Sequence, residues 1–178
     1  MHPLGRIIKK MSLLSKRSAL IIVDLQNDFC VGGNLAVEGA NDIIPIINRL
    51  IPKFQIVVAT QDFHPLDHSS FKIWPVHCVA GTKGAELHPD LDKTRINRYI
   101  KKGLNLEKDA YSGFQDTELL LYLRENKVDK IFICGLAADV CVKDTAIDAI
   151  KGVNADTTKT AYEEMKKCGI IFVNSDEI

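Results

Sequence analysis

The sequence lacks a surplus of charge of either sign, because its 23 lysines and arginines balance its 23 aspartates and glutamates. This balance argues against a broad nucleic-acid-binding surface, which needs an excess of basic residues. Long hydrophobic runs are also missing. Apolar segments such as Ala19–Val23 and Ile131–Cys134 are far shorter than the roughly 20 residues of a membrane-spanning helix. The sequence therefore predicts neither a nucleic-acid partner nor a membrane anchor.

The cysteines are too scattered for a disulfide framework or a structural zinc site. Their number is odd, no two of them form a Cys-x-x-Cys pair, and no apolar export signal precedes Ala19. We therefore expect a reducing, cytoplasmic environment in which the thiols serve packing or chemistry. The five cysteines are Cys30, Cys78, Cys134, Cys141 and Cys168.

The chain has 178 residues, of which 46% are hydrophobic and 26% are charged, and this composition is typical of a folded globular domain. Residues 1–17 differ from the rest, because they are basic and no acidic residue occurs before Asp24. We expect a disordered N-terminal extension at residues 1–17 and a single domain at residues 18–178. An organellar presequence is the alternative interpretation of the extension.

Strand and helix patterns alternate along the chain, which predicts an α/β fold with a mostly parallel sheet and helices on both faces, in three layers. The predicted strands are Ala19–Val23, Ile56–Ala59, Ile96–Ile100, Lys130–Cys134 and Ile170–Val173. The predicted helices are one capped by Asn41 or Asp42, then Asp116–Asn126, Ala138–Lys151 and Thr157–Lys167. The long segment from Phe63 to Arg95 reads as a loop, and loops of this length are usually functional.

One strand is missing from this alternation. Only residues 152–156 separate the helix that ends at Lys151 from the next predicted helix. A returning strand with its two connections needs on the order of 10–18 residues. The chain is therefore expected to lack one late strand after Lys151, which exposes the edge of a neighbouring strand.

Polar residues follow several of the predicted strands, and in a parallel sheet such strand ends converge on one rim. Cys141 is expected in the first turn of a helix, where the helix dipole lowers the pKa of a thiol. A buried structural cysteine is the alternative. Asp24 follows an apolar strand, where a carboxylate is costly unless it is paired or used. A helix cap or a solvated loop position is the alternative for Asp24. Lys102 follows another strand and would favour a nearby thiolate, although surface lysines are commoner.

A second group of polar residues lies in the long loop. Asp62 and His64 alternate, so both side chains lie on the same face of an extended segment. His68 and His77 follow along the loop, and His77 could close the site. Carboxylate and imidazole ligands of this kind suit zinc, manganese or iron. The ordinary polarity of a loop is the alternative explanation of this cluster.

Two aromatic residues are expected near the same rim. Phe29 and Trp74 could hold a planar ring by stacking. Packing against the core is the alternative, and for Phe29 it is equally compatible with the sequence.

Together these segments resemble the nicotinamidases, within the isochorismatase-like cysteine hydrolase superfamily. The resemblance covers the chain from about Ala19 to its C-terminus. The Asp-x-His pair and the Trp-Pro-x-His-Cys segment favour nicotinamidases over the metal-free relatives. The matching segments are Ala19–Phe29, Thr60–Pro65, Trp74–Cys78, Lys102-Gly103, Tyr111–Phe114 and Gly135–Cys141.

The resemblance implies hydrolysis of the carboxamide of nicotinamide to nicotinate and ammonia through a thioester, in NAD salvage. It implies a catalytic group of Asp24, Lys102 and Cys141, with Cys141 as nucleophile and Asp24 as base. The backbone N–H groups of Ala137 and Cys141 would form the oxyanion hole, and a cis peptide bond often precedes the position of Ala137.

The resemblance also implies a single divalent metal ion, with zinc favoured over manganese or iron. It would be held by Asp62, His64 and His77, and the substrate ring would lie between Phe29 and Trp74. The position of His68 contributes to the metal site in some members only. A homo-oligomer is compatible with the sequence. The alternatives are another small-amide or carbamoyl hydrolase of the superfamily and an inactive shortened product.

Overall fold

A computed structural model of the chain describes residues 17–151 and 166–178. Its sheet contains four strands, all parallel, in the spatial order β3-β2-β1-β4. The strands are β1 (Ser18–Val23), β2 (Ile56–Asp62), β3 (Arg98–Lys102) and β4 (Lys130–Gly135). The α-helices are α1 (Ile44–Leu50), α2 (Leu119–Glu125) and α3 (Cys141–Lys151).

The helices pack on both faces of the sheet, as the sequence predicts. Alternate residues of β1 belong to two different apolar clusters, because successive side chains of a strand point to opposite faces. Leu20 and Ile22 share one cluster with α1, whereas Ile21 shares the other with α2 and with Cys141 of α3. The result is the expected three-layer α/β fold.

Several predicted boundaries differ from the structure by a few residues. The helix predicted from Asp116 begins at Leu119, and the helix predicted from Ala138 begins at Cys141. The residues before Leu119 form a turn in which Thr117 Oγ1 donates to the carbonyl oxygen of Gly113. Hydroxyl bonds to nearby backbone compete with helix formation in this way.

The strand predicted at Ile170–Val173 was wrong, because this segment has no regular secondary structure. Ile170 packs against Ala146 and Ile147 of α3, but Ile171 is 81% exposed. A short apolar run therefore covers the core with one side chain and pairs with no strand. Of the helix predicted at Thr157–Lys167, only Lys166 and Lys167 lie within the described residues, and both are helical.

The remaining predictions concern two segments that lie largely outside the described residues. The N-terminal extension lies outside them, apart from Arg17. The segment after Lys151, where a strand is expected to be missing, also lies outside them. Within the described part of the chain, β4 pairs with β1 and with no other strand. None of the helices described there is both long and apolar enough to cross a membrane.

Candidate active site and metal site

The ends of the parallel strands bring three predicted catalytic residues together. Asp24 follows β1, Lys102 ends β3 and Cys141 begins α3. Lys102 Nζ lies 2.9 Å from Asp24 Oδ2 and 3.5 Å from Cys141 Sγ. All three residues are at least nine-tenths buried. Residues from three distant segments therefore form one compact cluster.

Lys102 also connects this cluster to the predicted metal ligands. Its Nζ lies 2.5 Å from Asp62 Oδ1 and donates a further hydrogen bond to the carbonyl oxygen of Ala110 at 3.0 Å. Burial alone would lower the pKa of Lys102, but the carboxylates of Asp24 and Asp62 outweigh this effect and hold its pKa well above the ordinary value. The ammonium group is therefore charged and is shared between two carboxylates.

The pKa of the Cys141 thiol is raised, which differs from the sequence-based expectation. Burial is the largest cause, the charge of Lys102 opposes it, and the carboxylates of Asp24 and Asp62 raise the pKa further. The charge of Lys102 therefore does not outweigh desolvation. Burial likewise raises the pKa of Asp24, although Lys102 opposes this. The arrangement favours a neutral thiol beside a carboxylate of increased basicity.

Asp24 is held in place by Thr60, a residue that the sequence reasoning assigned no role. The Thr60 hydroxyl donates to Asp24 Oδ1 at 2.6 Å and accepts a hydrogen bond from the Asp24 N–H at 3.2 Å. Asp24 has a positive φ of 48°, which is uncommon for a residue other than glycine. No local sequence pattern signals this role, because the contact joins residues from two separate segments.

The turn between β4 and α3 supplies unpaired backbone N–H groups. The peptide bond between Leu136 and Ala137 is cis, as the family resemblance led us to expect. Within the described residues, the N–H groups of Ala137 and Cys141 donate no hydrogen bond to a backbone or side-chain acceptor. Such N–H groups beside a nucleophile can receive a developing negative oxygen.

The predicted metal ligands also lie together. One possible ligand atom from each of Asp62, His64 and His77 lies within 4.8 Å of the other two, and all three residues are buried. His64 Nδ1 lies 3.0 Å from the carbonyl oxygen of Gly103, and His77 Nδ1 lies 2.7 Å from that of Pro75. Because a carbonyl oxygen only accepts, each Nδ1 carries a proton and each Nε2 retains a lone pair.

This donor set fits a divalent ion. His64 Nε2 is buried and has no hydrogen-bond partner among the described residues, which is costly unless the atom is used. Burial also lowers the pKa of His64 to about 4, so its ring is neutral at physiological pH. Two imidazoles with backbone-bonded Nδ1 atoms and one carboxylate are ordinary ligands of zinc and related metals.

The two predicted ring-binding aromatics occupy different environments. Phe29 is buried, and its ring centroid lies 5.5 Å from that of His77. Trp74 is 36% exposed, and its Nε1 donates to the hydroxyl oxygen of Tyr111 at 3.3 Å. Phe29 therefore contacts the metal-ligand group directly, whereas Trp74 is partly exposed and contacts Tyr111.

Sequence reasoning assigned no role to Phe71 or Gln26. The Phe71 ring centroid lies within 6 Å of those of His64, His68 and His77. The Gln26 amide bonds both the N–H and the carbonyl oxygen of Asp62. Neither role has a sequence signal, because both depend on contacts across the loop.

Comparison with known proteins identifies a matching family model and similar relatives. A family model described as the isochorismatase domain matches residues 18–155. A nicotinamidase of Acinetobacter baylyi is 40% identical, over 90% of this chain and 94% of that protein. A nicotinamidase/pyrazinamidase of Mycobacterium tuberculosis is 42% identical, over 88% of this chain and 98% of that protein.

Solved structures are similar too. The pyrazinamidase of Pyrococcus horikoshii in complex with zinc is 41% identical, with a TM-score of 0.78 over 88% of this chain and 98% of that one. The PnC1 protein of L. infantum in complex with nicotinate is 35% identical, with a TM-score of 0.84 over 92% of this chain and 96% of that one.

Proposed function

Because this chain belongs to the isochorismatase domain family and is similar to its nicotinamidases over most of its length, we propose that it hydrolyses nicotinamide to nicotinate and ammonia. The protein is then a metal-dependent cysteine amidohydrolase, and its product serves NAD salvage. The observation that carries the proposal is the position of Lys102. Its ammonium group contacts both the Asp24–Cys141 pair and Asp62 of the metal-ligand group, so nucleophile and metal site form one unit.

In the proposed first half-reaction, Asp24 takes the proton of the Cys141 thiol as Sγ attacks the carboxamide carbon and forms a C–S bond. The N–H groups of Ala137 and Cys141 hold the oxygen that becomes negative. Asp24 then gives the proton to the amide nitrogen, the C–N bond breaks, and ammonia leaves. The raised pKa values of Asp24 and Cys141 fit a proton that passes between these two groups.

In the second half-reaction, water attacks the thioester. Asp24 removes a proton from the water molecule, a C–O bond forms, and the C–S bond breaks. The proton returns to Cys141, and the product leaves as nicotinate once its carboxylic acid group has given its remaining proton to solvent. Lys102 stays charged throughout and stabilises whichever of its neighbours is negative, because it remains within contact distance of Asp24 and Cys141.

Asp62, His64 and His77 would hold the metal, for which we propose zinc. A bound divalent ion supplies a Lewis-acidic site for the pyridine nitrogen, which orients the ring. Phe29 and Trp74 would flank that ring. We propose further that residues 18–178 form a single hydrolase domain and that nicotinamide is its small-molecule partner.

The test is ammonia release from nicotinamide by the purified chain with added zinc or manganese, beside a Cys141→Ala control. We expect release that requires both the metal and Cys141. Absence of release from a cooperatively folded, metal-loaded protein would overturn the assignment. Release at an equal rate without metal would overturn the proposed metal dependence, whereas metal-independent hydrolysis of other small amides or carbamoyl compounds, with none of nicotinamide, would favour another hydrolase of the superfamily.

A further inference from the structure

His68 is a buried histidine of the metal-site region to which the proposed function gives no role. It is 2% exposed, and its ring stacks on that of His64 with centroids 4.1 Å apart and planes 20° apart. Its Nε2 has no hydrogen-bond partner among the described residues. A polar ring atom buried in this way is expected to serve a ligand or a bound group.

The hydrogen bonds of His68 differ from those of the two histidines in the metal-ligand group. The backbone N–H of Ser70 donates to His68 Nδ1 at 3.3 Å, and the Ser70 Oγ lies 2.7 Å from the same atom. A backbone N–H only donates, so Nδ1 must accept and carries no proton. The proton of the neutral ring is therefore on Nε2, and this atom has no lone pair for a metal.

His64 and His77 have the opposite arrangement. Their Nδ1 atoms face the carbonyl oxygens of Gly103 and Pro75, which places the proton on Nδ1 and leaves Nε2 available as a ligand. The backbone thus selects one tautomer for these two rings and the other tautomer for His68. This difference depends on fixed backbone groups, whose donor or acceptor character cannot change.

The location of His68, like its tautomer, indicates that it is not a ligand of the metal. The group of possible ligand atoms that includes Asp62, His64 and His77 does not include His68, within the part of the chain that the structure describes. A ring nitrogen of His68 instead lies within 4.8 Å of possible ligand atoms of His64 and Asp109. His68 therefore lies beside the metal-ligand group, next to a carboxylate.

We propose that His68 is not a metal ligand but a hydrogen-bond donor, whose Nε2–H serves an oxygen of solvent or substrate beside the metal. The protein then contributes two imidazoles and one carboxylate to the ion, and the remaining positions stay open for exchangeable ligands. The statement about the metal rests on the proposed function, whereas the tautomer of His68 does not.

The first test measures the tautomers directly. Long-range ¹H–¹⁵N correlation spectra of the metal-free full chain, labelled in its five histidines, distinguish an Nε2–H ring from an Nδ1–H ring. We expect His68 to have the proton on Nε2, and His64 and His77 to have it on Nδ1. A proton on Nδ1 of His68 would overturn the proposal, even if the protein proves to have a different function.

The second test counts imidazole ligands by X-ray absorption of the zinc-loaded chain. Two imidazoles are expected in the unmodified protein and in His68→Asn, but one in His64→Asn. Three imidazoles in the unmodified protein, falling to two in His68→Asn, would overturn the proposal. If zinc does not bind, the proposed metal fails, and the tautomer spectra still decide the role of His68.

Discussion

Lys102 determines the electrostatics of the site, because it is the single cation in contact with Asp24, Asp62 and Cys141 among the described residues. With the thiol neutral, two carboxylates share one ammonium group, and the cluster carries an excess negative charge. Burial is the largest cause of the raised pKa of Cys141, and this excess negative charge raises it further although a lysine is nearby. Removing a carboxylate should therefore acidify the thiol.

Asp24→Asn is expected to separate thiol acidity from catalysis. The variant loses the base and should lose nearly all amide hydrolysis. Its Cys141 pKa should nevertheless fall, because the charge of Asp24 and its hydrogen bond to the thiol both raise that pKa. The measurement is the rate of iodoacetamide alkylation of Cys141 against pH, followed by mass spectrometry of the peptide.

The control is Lys102→Met, in which the thiol pKa should rise and alkylation at a given pH should slow. Cys141→Ala gives the background from the other four cysteines. Slower alkylation of Cys141 in folded Asp24→Asn than in the unmodified protein would contradict this account of the charge balance.

Thr60 is expected to position Asp24 for proton transfer. Thr60→Val keeps the shape of the side chain but removes the hydroxyl that donates to Asp24 Oδ1. A hydrogen bond to a charged group contributes about 1.5–3 kcal/mol, so kcat/KM should fall by roughly 10- to 100-fold. The Thr60 hydroxyl also lowers the pKa of Asp24, so the acid limb of the pH profile should move to higher pH.

Thr60→Ser is the matched variant, because it restores the hydroxyl and should recover most of the activity and the original pH profile. Thermal unfolding of both variants would show whether either loses its fold. Equal losses of activity in the serine and valine variants, at equal stability, would argue against a role for the hydroxyl.

The residue types at strand ends were predictable from the sequence, whereas their contacts were not. Asp24 and Lys102 stand at the ends of strands, Cys141 begins the helix that follows β4, and a parallel sheet necessarily gathers such positions at one rim. The roles of Thr60 and Phe71 depend on distances between separate segments, which no local pattern encodes. The raised thiol pKa was missed because sequence reveals a helix N-terminus but not the depth of burial.

At the scale of elements, β1 and β2 were predicted well because they are continuous apolar runs. Ile170–Val173 has the same composition but was not a strand, since a short apolar run specifies burial and not a hydrogen-bonded neighbour. The loop between β2 and β3 was recognisable by its length. Its internal geometry is set by short 3₁₀ turns, which have no strong sequence pattern.

The turn after β3 positions His64 through Gly103. Gly103 has a positive φ of 67°, and a Cβ at this position would lie 2.5 Å from His64 Cε1. Gly103→Ala should therefore displace the ring and weaken its bond to the carbonyl of residue 103. Loss of such supporting bonds lowers metal affinity about 10- to 100-fold, which chelator competition would measure.

Gly81→Ala is the control for backbone strain alone. Gly81 has a similar φ of 79°, but a Cβ there would meet no atom within 4 Å. We expect Gly81→Ala to lose stability and to retain metal affinity. Equal losses of affinity in the two variants would show that strain, and not the contact with His64, is responsible.

At the scale of the whole molecule, the expected shortening of the chain agrees with the alignments. The alignment with the M. tuberculosis protein spans 185 positions, although it includes only 88% of this 178-residue chain. Some positions of that relative therefore have no counterpart here. All the proposed catalytic and metal-binding residues lie before Lys151, so the chemical groups of the site are retained.

The strand β4 is less buried than β1, as expected if no further strand follows Lys151. Every residue of β1 is buried, whereas β4 is exposed or half-buried along its length. Beside β4 lies a groove of about 800 Å³, lined by α1, α3 and the C-terminal segment. An edge strand that borders a groove of this size is expected to open more readily than a central strand.

Hydrogen exchange followed by mass spectrometry measures this difference. Amides of β1 and β2 should exchange only through global unfolding, with strong dependence on denaturant. Amides of β4 should exchange faster, through a partial opening with weak denaturant dependence, because less surface is exposed. Since α3 follows β4 and begins with Cys141, this opening should also increase alkylation of Cys141. Protection of β4 equal to that of β1 would mean that another segment or a second copy pairs with its edge, and the shortening would then cost the active site little rigidity.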